Sequence, residues 1–224
     1  MLPYRFGDQK LLCLTLKNLE FQGSAIQYLQ VTYDPCRSTA MENLVEFMEL
    51  VSSLKELQRT GWKQHEVTGI IDTTASHSYG VVLLSWVFAK EIQVDLEKVL
   101  KMAAVHDLVE SVIGDLTPTE AKRIDRDALE ENGLRKIESE LPNALLDEVK
   151  SLIREFRAGA TKEAKTVRVC DKLETLFQAH FYRKSDRLSE HGFREFLRYA
   201  EKECRTRLAK EILSQIKNSD DKMN

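Results

Sequence analysis

The sequence predicts an all-α fold, and three observations carry that prediction. Only 4 prolines and 9 glycines interrupt 224 residues. Most of the longer segments repeat apolar positions at the spacing of one helix face. The apolar share is 42% against a net charge of −3, enough to bury a sizeable core and inconsistent with a chain disordered by composition.

The elements follow in order. Met41 to Leu57 places Leu44, Val45, Phe47, Met48, Val51 and Leu54 on one broad face. Ser78 to Ile92 is apolar on nearly all sides, through Val81, Val82, Leu83, Leu84, Trp86, Val87 and Phe88, which predicts a central, buried helix. Asp95 to Val112 repeats Leu96, Val99, Leu100, Ala103 and Ala104 at i, i+3, i+4, i+7 and i+8. A charged amphipathic stretch runs from Pro118 and Thr119 to about Glu140, and Pro142 suits the first position of the helix after it. Thr161 to Tyr182 and Gly192 to Ile216 complete the set. The first forty residues read differently: Leu11 to Lys17 alternates like a strand, Ile26 to Tyr33 fits either type, and Pro35 breaks the chain before Met41. A poorly ordered extension ahead of a domain beginning near Met41 is expected.

Composition excludes several function classes. With 33 basic and 36 acidic side chains there is no positive excess to bind nucleic acid or acidic membranes in bulk. The most apolar run, Val81 to Ala89, is far shorter than the roughly 20 residues a bilayer span needs. Cys13, Cys36, Cys170 and Cys204 form no C-x-x-C pair, and no secretory signal precedes them, so an intracellular, cytoplasmic setting is expected.

Polar groups interrupt the apolar faces at a few places. Asp107 falls seven residues after Leu100 and four after Ala103, so helix geometry sends its carboxylate toward the core, where a metal or an ion pair must compensate it. A lone His-Asp pair is ordinarily a surface pair; His106-Asp107 sits on the buried stripe instead. Glu110 follows at i+3 from Asp107, and Gly114-Asp115 ends the helix with a further carboxylate. Ser76-His77 opens the most apolar helix, and Asp171 lies beside Cys170 among Val167, Leu173, Leu176 and Phe177. Taken singly, His77 reads as a hydrogen-bonded core histidine and Asp171 as half of a salt bridge. Two imidazoles and two carboxylates that converge would instead suit a divalent transition metal. His65, His180 and His191 are poorer ligand candidates: the first and last read as solvated, and His180 as packing.

The run V-H-D-L-V-E-S-V-I-G-D, Val105 to Asp115, resembles the H-D-x-x-E-x-x-x-G-D signature of the HD-domain metal-dependent phosphohydrolase superfamily, in its 5′-deoxynucleotidase branch of the HD domain-containing protein 2 type. Leu57 to Trp62, Ser76 to Ser78 and Val169 to Glu174 (V-C-D-K-L-E) fit the same branch. The resemblance covers roughly Met41 to Lys184 and implies a helical bundle with a metal site between its central helices. It implies an extension over residues 1–40, an HD domain over 41–184, and a C-terminal helix and tail over 185–224. It also implies His77, His106, Asp107 and Asp171 as ligands of one divalent cation, Mn²⁺, Co²⁺ or Mg²⁺. Glu110 and Asp115 are implied in catalysis, with the capacity to help hold a second ion, and Arg59 and Trp62 in contacting the nucleotide. The family's R-N-V after the tryptophan stands here as His65-Glu66-Val67.

The resemblance implies hydrolysis of deoxyribonucleoside 5′-monophosphates to deoxynucleoside and phosphate. Other HD phosphohydrolases act on nucleoside triphosphates or cyclic nucleotides, but no Lys/Arg cluster flanks His106 as a triphosphate would require. A non-catalytic interaction protein would be expected to lack a ligand, and all four stand. Arg183, Lys184, Arg187, Arg194 and Arg198 are interleaved with Asp186, Glu190 and Glu195, which reads as a solvated face rather than a nucleic-acid surface. The broad apolar stripes on the first and last core helices, like the family, point to a homodimer.

Overall fold

The computed structural model describes residues 13–21, 24–32, 43–117, 120 and 125–222. The chain separates into two compact units, Met1–Glu42 and Asn43–Asn224. In the first, β1 (Cys13–Phe21) and β2 (Ser24–Thr32) pair antiparallel, with Cys13 opposite Thr32 and Phe21 opposite Ser24. Of the strand-like stretch Leu11–Lys17 the described part, from Cys13, lies in β1, and of the stretch Ile26–Tyr33 that fitted either type the described part, to Thr32, lies in β2.

The described residues of the second unit form an all-helical bundle: α1 (Leu44–Glu56), α2 (Thr60–Gln64), α3 (Thr74–Ile92), α4 (Leu96–Val105), α5 (Glu110–Ile113), α6 (Arg126–Glu140), α7 (Leu146–Ala158), α8 (Lys162–Lys184), α9 (Glu190–Glu203) and α10 (Arg207–Asp221). Polar side chains fix many of the starts. Asp95, Asp125, Thr161, Ser189 and Thr206 each accept a bond from a backbone N–H of the first turn, satisfying donors that have no partner within the helix. At α3, Thr73 and Ser76 cap each other reciprocally, so Ser76 is the third helical residue of a capping box. The expected helix start at Pro118-Thr119 lies outside the described residues.

Three expectations change. Asp95 to Val112 is not one helix: α4 stops at Val105, and backbone bonds then shorten to three residues, Leu108 N–H to Val105 O and Glu110 N–H to Asp107 O, before α5 begins. Gly192 to Ile216 is likewise two helices, because Cys204 leaves the helical region with a ψ of 80° and Thr206 caps a fresh start at Arg207 by accepting from the Ala209 N–H. Finally, α3 is buried on one side only. Thr74, His77, Val81, Ser85, Phe88 and Ala89 face inward, whereas Tyr79, Leu83, Trp86 and Val87 are exposed.

Two apolar clusters form the core. The larger gathers Val81, Val99, Met102, Cys170, Leu173 and Phe193; the smaller joins Leu54, Leu108, Val109, Leu134, Ile137 and Ile153. Val105 packs on both. The polar groups singled out above gather at this junction, carried by α3, the end of α4, α5 and α8.

Candidate metal centre

Helix ends and one helix face bring the ligands together. His77 stands in the first turn of α3, whose entry is pinned by Thr74 N–H to Leu57 O at 2.8 Å. His106 and Asp107 occupy the tightened turn after α4, and Asp171 lies midway along α8. A ring nitrogen of His77, a ring nitrogen of His106 and an Asp107 oxygen all lie within 4.8 Å of one another. Asp107 Oδ2 is 3.1 Å from His106 Nε2 and 3.7 Å from His77 Nε2, and Asp171 Oδ1 is 3.3 Å from His77 Nε2. His77, His106 and Asp107 thus share one group, and Asp171 adjoins it through His77.

The chemistry of the two rings fits a cation. His106 Nδ1 lies 2.8 Å from Ala103 O. A carbonyl only accepts, so Nδ1 carries the proton and Nε2 presents a lone pair. His77 Nδ1 is hydrogen-bonded to Glu174 Oε2. Both Nε2 atoms are buried without a hydrogen-bond partner. Two orphaned ring nitrogens facing carboxylates at the heart of a helical unit are costly unless something compensates them, and a divalent cation does so.

A second ring of groups surrounds the ligands. Arg59 Nη1 is 3.0 Å from Asp107 Oδ2 and 3.8 Å from Glu110 Oε2, and its Nε is 3.5 Å from Asp115 Oδ1. Asp115 also accepts from the Thr60 N–H, and Thr60 Oγ1 donates to the Asp115 carbonyl at 2.8 Å. Thr74 Oγ1 donates to Glu110 Oε2 at 3.0 Å. Lys172 Nζ meets Asp171 Oδ2 at 2.8 Å. Burial disfavours the charge on Arg59, yet Asp107, Asp115 and Glu110 outweigh it and raise its proton affinity. Burial likewise works against Asp107, but His106, Arg59 and His77 hold it below the usual carboxylate range. Asp171 is held low against its burial by Lys172 and His77. Glu110 goes the other way: burial first, then the Asp107 charge, push it well above the ordinary value despite Arg59. For His77, burial and Arg59 oppose protonation, while Asp171 and Glu174 overcome them and raise it to about 9.

Trp62 is placed differently from the expectation that it packs beside a sugar and base. It is 2% exposed, its ring 5.2 Å from Tyr182 and 4.5 Å from Phe196, centroid to centroid. Its faces are already taken. Its backbone N–H bonds Arg59 O at 3.3 Å, tying the α2 turn to the arginine. Among the other histidines, His180 packs against Phe193, His191 is exposed, and His65, expected to be solvated, is half-buried against Phe196 and 3.5 Å from Glu195. Sequence reasoning assigned no role to Glu174, Lys172, Thr60 or Thr74. The signal for Glu174 was present: it follows Asp171 at i+3, so both project from one face of α8.

The comparisons agree with this geometry. The HD-domain family model matches residues 51–213. The 5′-deoxynucleotidase HDDC2 of Danio rerio is 32% identical over 143 residues, 63% of this chain and 70% of that protein. Its counterpart of the same name in Dictyostelium discoideum is 33% identical over 152 residues, 64% of this chain and 80% of that one. A crystal structure of a Pyrococcus horikoshii OT3 protein superposes with a TM-score of 0.65 at 32% identity, covering 80% of this chain and 99% of that chain. An HD-domain phosphohydrolase from Listeria innocua shares the fold, with a TM-score of 0.59 at 21% identity over 77% of this chain and 89% of that one. With the model matched across most of the bundle and its His-Asp pair at the junction of the two cores, the chain belongs to the HD-domain family.

Proposed function

We propose that this protein is a metal-dependent 5′-deoxynucleotidase, hydrolysing deoxyribonucleoside 5′-monophosphates to deoxynucleoside and phosphate. The observation that carries the reading is the pair of buried, unpartnered imidazole nitrogens converging on Asp107, in a chain whose curated relatives bear that activity in their names. His77, His106, Asp107 and Asp171 would hold the ion. When bound, a divalent cation lowers the pKa of water from about 15.7 toward about 7 and offers charge to a phosphate oxygen.

The chain's own residues supply the rest. A water oxygen forms a bond to phosphorus while the bond from phosphorus to the 5′-oxygen breaks, and the leaving oxygen takes up a proton. Glu110 and Asp115 are the carboxyls in position to orient the water and move that proton. The raised proton affinity of Glu110 suits it to protonating the leaving oxygen, and Asp115, fixed by the Thr60 N–H and Arg59, suits orientation. Arg59 exchanges part of its carboxylate contacts for the substrate phosphate, which its planar fork matches. Trp62 acts through packing, holding the turn that carries Arg59. We further read the exposed apolar surface of α3, with Phe177 and Phe181 of α8, as the face on which a second copy packs, rather than the first and last core helices. No described helix is long and apolar enough to cross a membrane; with buried, unpaired Cys170 and Cys204, an intracellular, cytoplasmic setting fits this reading.

The test is a panel of ribo- and deoxyribonucleoside 5′-monophosphates, with triphosphates and cyclic nucleotides beside them, assayed with Mn²⁺, Co²⁺, Mg²⁺ and chelator. Phosphate release from deoxyribonucleoside monophosphates, abolished by chelator and by Asp171→Ala, is expected. Triphosphate release, or full activity of metal-stripped Asp171→Ala, would overturn the reading.

A further inference from the structure

One helix face grips His77 from both sides. Asp171 and Glu174 stand one turn apart on α8: Asp171 Oδ1 approaches the ring's Nε2 at 3.3 Å, and Glu174 Oε2 is hydrogen-bonded to its Nδ1. The ring itself is 1% exposed, out of contact with bulk solvent. The approach of Glu174 depends on a glycine. A methyl group at Gly80, one turn after His77 on α3, would stand 2.8 Å from Glu174 Cγ and 3.0 Å from its carboxyl carbon, closer than side chains pack. Gly80 therefore leaves the notch in which the Glu174 carboxylate lies.

The other imidazole shows what the contact does. His106 has its Nδ1–H taken by a backbone carbonyl, which turns Nε2 toward the ligand cluster. His77 has no such carbonyl; Glu174 is the acceptor in the equivalent place. We infer that Glu174, seated against Gly80, is the positioning residue of the metal centre: by accepting the Nδ1 proton it fixes the tautomer and ring orientation in which His77 Nε2 is a ligand. The inference rests on the metal-centre reading above and adds a residue that touches neither cation nor substrate.

The test uses Mn²⁺ alone as the probe, its free concentration read by electron paramagnetic resonance in the native chain, His106→Ala, Glu174→Ala, Glu174→Gln and Gly80→Ala. Glu174→Ala is expected to weaken Mn²⁺ binding by about 10- to 100-fold, the range for loss of such a support. Glu174→Gln, which keeps an acceptor oxygen, should recover part of that loss. Gly80→Ala should weaken binding by about tenfold or more even though alanine is the better helix former, a combination a merely structural role would not produce. In the Zn²⁺-loaded protein, ¹⁵N spectra of the rings should show His77 protonated at Nδ1 in the native chain and disturbed in Glu174→Ala, with His106 unchanged as the internal control. Glu174→Ala and Gly80→Ala within twofold of native affinity, with undisturbed His77 signals, would overturn the inference while leaving the metal centre standing. A native chain that holds no Mn²⁺ removable by His106→Ala would overturn the centre itself.

Discussion

The two sides of α3 invert the usual association of polarity with exposure. On the inner side His77, the helix's most basic side chain there, is 1% exposed; on the outer side Trp86 is 52% exposed. Both arrangements are costly alone, one for desolvating an imidazole and the other for leaving a large ring in water. The inner cost is offset by Asp171, Asp107 and Glu174 around the ring. Among the described residues the outer side has no such compensation, and Tyr79, Leu83 and Val87 enlarge the exposed surface. The contrast teaches that on this helix position relative to the core, not side-chain type, decides what each residue contributes.

The sharpest way to break the contrast is a pair of aromatic residues two positions apart. Phe88 is 3% exposed and part of the larger core cluster. Phe88→Ala should destabilise the unit by about 3–5 kcal/mol, through lost burial and the cavity left behind. An unfolding free energy from urea titration lowered by less than about 1 kcal/mol would mean that the inner side is not the packed one.

How much of this was legible beforehand depends on which force decided each feature. Helices α1, α3 and α8 were readable as apolar stretches at helical spacing, although on α1 only Leu54 is buried while Val45 and Met48 are exposed. His106, Asp107 and Asp171 stood out as polar groups among apolar neighbours, while their use with His77 as one ligand set was implied by the family resemblance. The break after Val105 was not readable, since Ala104, Val105 and the residues after Asp107 continue the helical period; three-residue backbone bonds and ring contacts of His106 override it. Trp62 misled for a similar reason. An aromatic residue near an arginine is compatible with a ligand wall and with a core anchor, and only Tyr182 and Phe196, more than a hundred residues downstream, decide between them. The one-sided burial of α3 escaped because an all-round apolar pattern does not say which neighbour covers which side.

The inner side also carries a pH signature whose direction depends on metal. In chelated protein His77 binds its proton with a pKa of about 9, above the ordinary 6.5. A group raised on folding stabilises fully below its unfolded value and ceases to do so as pH climbs through the folded one. Metal-free stability should therefore fall between pH 6.5 and about 9, by on the order of 3 kcal/mol for this group alone. A cation needs the neutral ring, so the stability gained on adding Mn²⁺ should grow over the same interval. Urea titrations at several pH values, with chelator and with Mn²⁺, should thus diverge as pH rises. Parallel curves, or a divergence that survives in His77→Ala, would show that this ring is not where proton and metal compete.

The smallest effect is expected on the outer side, and it is informative because it should depend on protein concentration. Trp86 is exposed on α3 together with Leu83 and Val87. In a dilute, monomeric sample Trp86→Glu should alter stability by no more than about 0.5 kcal/mol, since the ring covers little of the core. If a second copy packs there, mass action adds stability to the native chain as concentration rises, and its urea midpoint climbs. The variant, with a carboxylate placed in that contact, should lose the climb and sediment as a monomer where the native chain is a dimer. A native midpoint independent of concentration would leave α3 with an apolar outer side that serves no second copy. A large loss of stability in dilute Trp86→Glu would instead mean that the outer side is buried against this chain's own residues, and the contrast between the two sides of α3 would disappear.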